Sequence, residues 1–185
     1  MENKTKSKEH YKWSLMVFLF LFYCNLGWIY EVVLEFKDGN GFVNRGFLFG
    51  PYLPIYGFGA LILILLLKNL MEKKIYIWKI PITPIIVFAL IIVITSIIEY
   101  FSGYVMELVF HQRWWDYSSD FLNINGRICP RTSFKFGIGG MAFLYILKPL
   151  FILLVNKLSE KKQKIGAIII VSVMVVDLIV TLISM

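Results

Sequence analysis

Long apolar runs separated by short charged clusters set the pattern of this chain. Trp13 to Tyr30 carries no charge, and its helical pattern continues to about Phe36. Gly46 to Leu67 is uncharged for 22 residues. Ile80 to Ile98 is uncharged for 19, with helical pattern running on to Phe110. Phe134 to Asn156 is apolar apart from Lys148, once Lys135 is assigned to the preceding loop, and Ile165 to Met185 is apolar apart from Asp177. A bilayer core needs about 20 helical residues to cross it, so each run predicts a transmembrane helix. Open strands would leave backbone groups unpaired in lipid, and the alternation of a barrel is absent. The predicted fold class is an all-α integral membrane protein, a bundle of about five transmembrane helices.

Composition agrees and excludes alternatives. Of 185 residues, 58% are hydrophobic and only 17% charged, against about a quarter charged in an average soluble domain. A soluble enzyme, a disordered chain and a disulfide scaffold are excluded. Cys24 and Cys129 form no framework, and His10 and His111 make no metal motif. No cofactor is expected. The first apolar run follows a polar, lysine-rich stretch and lacks a small-residue cleavage site, so it reads as a retained span.

Charge sets the expected orientation. Lys4, Lys6, Lys8 and Lys12, then Lys68, Lys73, Lys74 and Lys79, then Lys157, Lys161, Lys162 and Lys164 fall on one side of the predicted spans. The other side carries Lys37, Arg45, Arg113, Arg127, Arg131 and Lys135. The excess predicts a cytoplasmic N-terminus and an outward C-terminus. The net charge of +7 thus reflects topology in a lipid bilayer, not nucleic-acid binding.

A tandem repeat of two helices is also expected. At an offset of 80, Gly46, Tyr56, Gly57 and Gly59 fall on Gly126, Phe136, Gly137 and Gly139. Upstream, each copy has an acid beside a tyrosine inside an apolar run, Tyr30-Glu31 and Glu99-Tyr100. The expected organisation is a cytoplasmic basic tail (1–12), a first repeat (13–71), a second repeat (72–158) with a long polar and aromatic outward loop, and a fifth helix (159–185).

The candidate chemistry lies in these repeats. An ionised side chain at the bilayer centre costs at least about 2.5 kcal/mol and needs a partner or a wet cavity. Glu31 and Glu99 are the deepest acids; Glu35 and Glu107 lie further out on the same helices. Arg45, Arg127 and Arg131 are the candidate partners, and their planar forks would close ion pairs with Glu31 and Glu99 or bind an anionic head group. The segment Arg113-Trp-Trp-Asp-Tyr-Ser-Ser-Asp120 suits an aromatic interface belt. With Asn123, Asn125, Gly126 and Arg127 it also suggests a folded cap or re-entrant element in which Asp116 pairs Arg127. The substrate-binding candidates are Glu31, Arg45, Glu99, Asp116, Asn125 and Arg127. Gly57, Gly59, Gly137, Gly139 and Gly140 are expected to let helices approach closely. Pro51 and Pro54 mark a broken start to the second span. Lys148 is expected to pair Asp177 or to snorkel inward. No P-loop, metal motif or nucleophile motif marks an enzyme.

Taken together, Asn44-Arg-Gly-Phe-Leu-Phe-Gly-Pro-Tyr-Leu-Pro-Ile-Tyr-Gly-Phe-Gly59, Trp115-Asp-Tyr-Ser118 and Asn125-Gly-Arg-Ile-Cys129 resemble a small bacterial membrane family, the "Putative ABC-transporter type IV" or CmpB-like permeases. The similarity runs from about Trp28 to Gly140. One departure is Pro130, where the family's run Gly-Arg-Ile-Cys-Leu has leucine. The resemblance implies a permease-like subunit in a bacterial plasma membrane, with an ATPase subunit in trans. Five spans are few for a solute pathway, so a homodimer or another partner would complete it. It supplies no substrate and no catalytic residue. A lipid-handling membrane enzyme and a structural or sensory subunit are the competing readings, the first requiring an altered lipid pool and the second a role in assembly.

Overall fold

The computed structural model describes residues 12–184, so the basic tail expected over 1–12 lies outside them except for Lys12. Five helical spans follow one another. They are α1 (Trp13–Lys37), α2 (Pro54–Met71), α3 (Thr83–Phe110), a fourth span of two helices, α4 (Pro130–Ala142) and α5 (Lys148–Val155), and finally α6 (Glu160–Ser184). All five are long and apolar enough to cross a bilayer. The only sheet among the described residues is a hairpin of β1 (Tyr76–Ile77) and β2 (Ile80–Pro81). The chain is an all-helical, multi-pass membrane protein.

Proline opens three of the spans. Pro54, Pro84 and Pro130 occupy the first or second helical position of α2, α3 and α4, where a missing N–H removes no helical bond. Pro130, the departure from the family pattern, is thereby accommodated without a break. In the fourth span Pro149 cannot donate to the carbonyl four residues back. A π-helical turn (Phe143–Leu147) occupies the turn before it. The Phe143 carbonyl accepts the Lys148 N–H and the Tyr23 hydroxyl, the latter at 3.0 Å.

α2 begins eight residues later than the apolar run suggested. Residues 46–53 are an irregular, bent loop, because Gly46 takes a φ of +118° and Pro51 and Pro54 interrupt the helix. This loop returns deep along α1. The Leu53 N–H donates to the Cys24 carbonyl at 3.0 Å, about 20 Å below the end of α1 at 1.5 Å per residue.

α1 packs on α2, α5 and α6, and α3 packs on α2 and α4. The core joins Leu15, Leu19 and Tyr23 of α1 to Leu63 and Ile64 of α2 and to Val87 and Ile91 of α3. Small residues set the closest approaches, as lipid offers little hydrophobic drive between helices. A Cβ on Gly57 would lie 2.4 Å from the Cys24 sulfur and 2.7 Å from the Phe20 ring. A Cβ on Gly137 would lie 2.8 Å from both Ile92 and the Phe88 ring. Gly140 similarly meets Ile91. Gly59 and Gly139, expected to act likewise, face open space.

One end of the bundle carries most of the lysines. Lys12 at the start of α1 is ion-paired with Glu160 at the start of α6. The β-hairpin projects from the same end, with Trp78 at its tip 95% exposed. The base of the hairpin is pinned by Thr83, which is buried. Its hydroxyl donates to the Lys73 carbonyl and accepts from the Ile75 N–H, both at 2.8 Å. Thr83→Val leaves both backbone groups without their partner, so a loss of about 1–2 kcal/mol is expected. Thermal unfolding reads the loss, and faster amide exchange confined to residues 72–82 locates it. Unchanged exchange there would remove this role.

Candidate functional site

At the opposite end two loops fold back over the helices. The first (38–53) is fastened from two sides. From α1, the Trp28 indole donates to Asn44 Oδ1 at 2.6 Å and Asn25 donates to the Pro51 carbonyl at 2.9 Å. Asn44 in turn donates to the Phe49 carbonyl at 3.1 Å. From α6, Asp177 accepts the N–H groups of Phe49 (3.1 Å) and Gly50 (2.9 Å) and the hydroxyl of Tyr52. Burial and the adjacent Asp177 carboxylate raise the Tyr52 hydroxyl well above its usual range. Asp177 therefore does not serve Lys148 as expected. Lys148 lies beside the end of α2, lining a shallow pocket with Lys68, Glu72 and Tyr145.

The second loop (111–129) is a folded cap. Asn125 and Gly126 both have positive φ, 53° and 67°, and the Arg127 N–H donates to the Ile124 carbonyl at 3.0 Å. This Asn-Gly turn is of the kind that closes tight hairpins, and Ile124 bridges Ile128 across it. The Trp115-Asp-Tyr-Ser segment grips the turn. The Trp115 indole donates to the Arg127 carbonyl at 3.0 Å, and the Tyr117 N–H donates to the Gly126 carbonyl at 2.7 Å. Asp116 accepts the Ser118 N–H at 2.9 Å and its hydroxyl at 2.5 Å. These bonds, with Arg113 nearby at 3.6 Å, hold the Asp116 carboxyl below its usual range. A Cβ on Gly126 would lie 2.6 Å from Asp116 Oδ1 and 2.5 Å from the Ser118 hydroxyl, so the close fit admits only glycine.

The ion pairs differ from those expected. Arg45 pairs Glu35 at 3.4 Å. Arg127 pairs Glu107 at 2.6 Å, with its guanidinium over the rings of Tyr100 and Tyr104. Asp116 faces Arg113, not Arg127, and Arg131 pairs Asp120 at 3.0 Å. In each helix pair a loop arginine thus takes the outer acid. Glu35 is one turn beyond Glu31, and Glu107 lies about 12 Å beyond Glu99 along α3. The inner acids lie too deep for those forks.

Glu31 and Glu99 take tyrosine hydroxyls instead. Tyr56, at the start of α2, donates to Glu31 Oε1 at 2.5 Å. Tyr117 reaches down from the cap and donates to Glu99 Oε1 at 3.0 Å. Glu99 is only 6% exposed, and its Oε2 is buried with no hydrogen-bond partner. Tyr117 lies within electrostatic reach of both Glu99 and Glu31. Burial first, and then the two carboxylates, raise its hydroxyl well above the usual range. The Tyr56 ring lies 6.2 Å from the ring of Phe136, its counterpart in the expected repeat. Asn125 donates to the Tyr100 hydroxyl at 2.8 Å and so ties the cap to α3 beside Arg127.

Of the six candidates, then, Glu31 and Glu99 each take a tyrosine hydroxyl, while Asp116, Asn125 and Arg127 build the cap and Arg45 fastens the first loop. The sequence reading missed Tyr56 and Tyr117 as the carboxyl donors, although both stood inside motifs it singled out.

Five apolar spans under two folded polar loops define a small multi-pass membrane protein. A family model described as "Putative ABC-transporter type IV" matches residues 18–182, and the chain belongs to that family. Neither a curated protein nor a solved structure matches it. Family and helices together fit a membrane transporter subunit.

Proposed function

We propose that the chain is the membrane subunit of a transporter, working with an ATPase subunit supplied in trans. Its substrate is handled between the two helix pairs, beneath the two loops. The observation that carries this is Glu99, buried in a membrane span with one carboxyl oxygen unpartnered. An acid in that position is costly as a purely structural element. Here its bonded partner is the Tyr117 hydroxyl and not a cation. The arginines of the candidate set act as walls, holding the cap and the first loop in place. The lysine excess at the hairpin end supports a cytoplasmic N-terminus in a bacterial plasma membrane, with the loops outward. The exposed hairpin then faces the compartment where an ATPase would dock, and a second copy of the chain completes the pathway.

A duplicated two-helix unit underlies the site in this reading. Gly57 seats on Phe20 and Cys24, and Gly137 seats on Phe88 and Ile92. Those contact pairs are related by one offset, 68, which also carries Glu31 onto Glu99. An offset of 80 relates the two glycines themselves.

The test is native mass spectrometry of protein purified gently from its own membrane. The wild type is expected to bring an ATPase subunit with it. Glu99→Gln is expected to keep the fold and that association while losing transport-coupled ATP hydrolysis. A wild-type preparation free of any ATPase overturns the transporter reading. Full coupling in Glu99→Gln overturns the placement of the site. Arg127→Ala should act differently, loosening the cap because it removes the bond to Glu107 and the cover on two tyrosine rings.

A further inference from the structure

We propose that the β1–β2 hairpin is a docking surface for anionic lipid head groups, with Trp78 seated in the head-group layer and Lys73, Lys74 and Lys79 against the phosphates. Such docking requires neither an ATPase nor a transported substrate.

The hairpin is pinned at its base and apolar on both faces. Tyr76 opposes Pro81 and Ile77 opposes Ile80, and by the two-residue period of a strand each pair lies on its own face. The Ile82 N–H donates to the Ile75 carbonyl at 2.9 Å, which carries the pairing down to the bonds of Thr83. Tyr76, Ile77 and Ile80 are each more than half exposed. Trp78 and Lys79 form the two-residue turn, and Trp78 takes a φ of +58°. Positive φ in such a turn favours asparagine or glycine, so a tryptophan is held there at a local cost. Its exposed ring and indole N–H meet no partner among the described residues. A two-stranded hairpin this short also has little stability of its own in water.

A lipid surface fits these features better than a protein does. α2 and α3 are membrane spans, so the hairpin that joins them already lies beside a bilayer. Trp78 is five residues from Thr83, where α3 begins. That is no more than about 17 Å of extended chain at about 3.3 Å per residue, and a head-group layer is about 5–7 Å deep on each side. A tilted hairpin therefore brings its tip into that layer. A protein partner would cover one face and leave the other in water, and lysine is depleted from the centres of such interfaces. A fluid head-group layer wraps both faces and suits tryptophan and tyrosine, which pair an apolar ring with a polar edge. The charge is complementary as well. Lys73, Lys74 and Lys79 are all exposed, and Glu72 is the single acid from 72 to 82. Near an anionic surface each lysine favours contact about fivefold.

Fluorescence of the full chain in lipid nanodiscs tests this. One set of discs holds phosphatidylcholine alone, and the other holds phosphatidylcholine mixed with phosphatidylglycerol. The Trp78 signal is the difference between wild type and Trp78→Phe. In the anionic discs it is expected to shift to the blue, to be quenched by a head-group nitroxide lipid and to escape aqueous acrylamide. Combining Lys73→Gln, Lys74→Gln and Lys79→Gln should lower the ratio of embedded to exposed tip by about a hundredfold, and high salt should act in the same direction. Amide exchange of the wild type at residues 76–80 gives a readout free of any variant, and it should be slower in the anionic discs. A Trp78 signal open to acrylamide in anionic discs overturns the proposal and leaves the hairpin to a protein partner. Equal quenching and equal exchange in the two lipid compositions also overturn it, because the lysines would then recognise nothing.

Discussion

Gly57→Val and Gly137→Val are each expected to destabilise the folded protein strongly, while Gly59→Val and Gly139→Val are tolerated. The residues alternate along the same helices, so the contrast isolates close approach from helix propensity. A side chain at Gly57 would enter the space held by the Cys24 sulfur and the Phe20 ring; one at Gly137 would displace Ile92 and Phe88. The obstructing atoms belong to side chains that are themselves packed between helices, so relief requires the helices to part. Overpacking typically costs about 1–3 kcal/mol and more where nothing can yield, a large share of a stability of about 5–15 kcal/mol. Nothing lies within 4 Å of a Cβ at Gly59 or Gly139, so valine there should shift stability by no more than about 0.5 kcal/mol. Size-exclusion profiles of detergent extracts and unfolding temperatures check this. Equal behaviour of all four variants would mean that the pairs do not pack as described.

The second large effect is expected at Asp177. This carboxylate is the point at which α6 holds the first loop, accepting two backbone N–H groups and the Tyr52 hydroxyl. Asp177→Ala orphans all three donors. Bonds to a charged acceptor are worth about 1.5–3 kcal/mol each when buried. Part of this site is open, so a total loss of about 2–4 kcal/mol is expected, with Asp177→Asn about half as severe because one carbonyl acceptor remains. The effect should also be local. Amide exchange at Phe49 and Gly50 should rise sharply, and α6 should loosen from the bundle before the α3–α4 pair does. If those two amides keep their protection in Asp177→Ala, another group is holding the loop.

The five spans were legible because hydropathy in a membrane chain depends on local composition alone. The start of α2 was not. Gly46 to Leu67 is uniformly apolar, and what ends the helix early is backbone chemistry at Gly46, Pro51 and Pro54. Glu31, Glu99 and the loop arginines were also legible as a set, because buried acids demand partners. Their pairing was not. Which acid an arginine reaches depends on depth, and Glu35 and Glu107 stand nearer the loops than the inner pair. Tyr56 and Tyr117 escaped notice for a related reason. A tyrosine in an apolar or aromatic run looks like packing until the fold shows where its hydroxyl ends. Asn125 was singled out for its polarity, but its first role is conformational, as the left-handed residue of the turn before Gly126.

α4 begins with Pro130, Arg131, Thr132, Ser133 and Lys135 before its glycines. Residues of that kind resist transfer into hydrocarbon, and Gly137 and Gly140 offer lipid little surface of their own. Their fit is to α3, and Ser133 hydrogen-bonds Ser96 across the pair at 2.7 Å. During synthesis, therefore, α4 should not partition from the translocon as a solitary segment. It has to wait beside the emerging α3, and the two helices enter the bilayer as a preassembled hairpin.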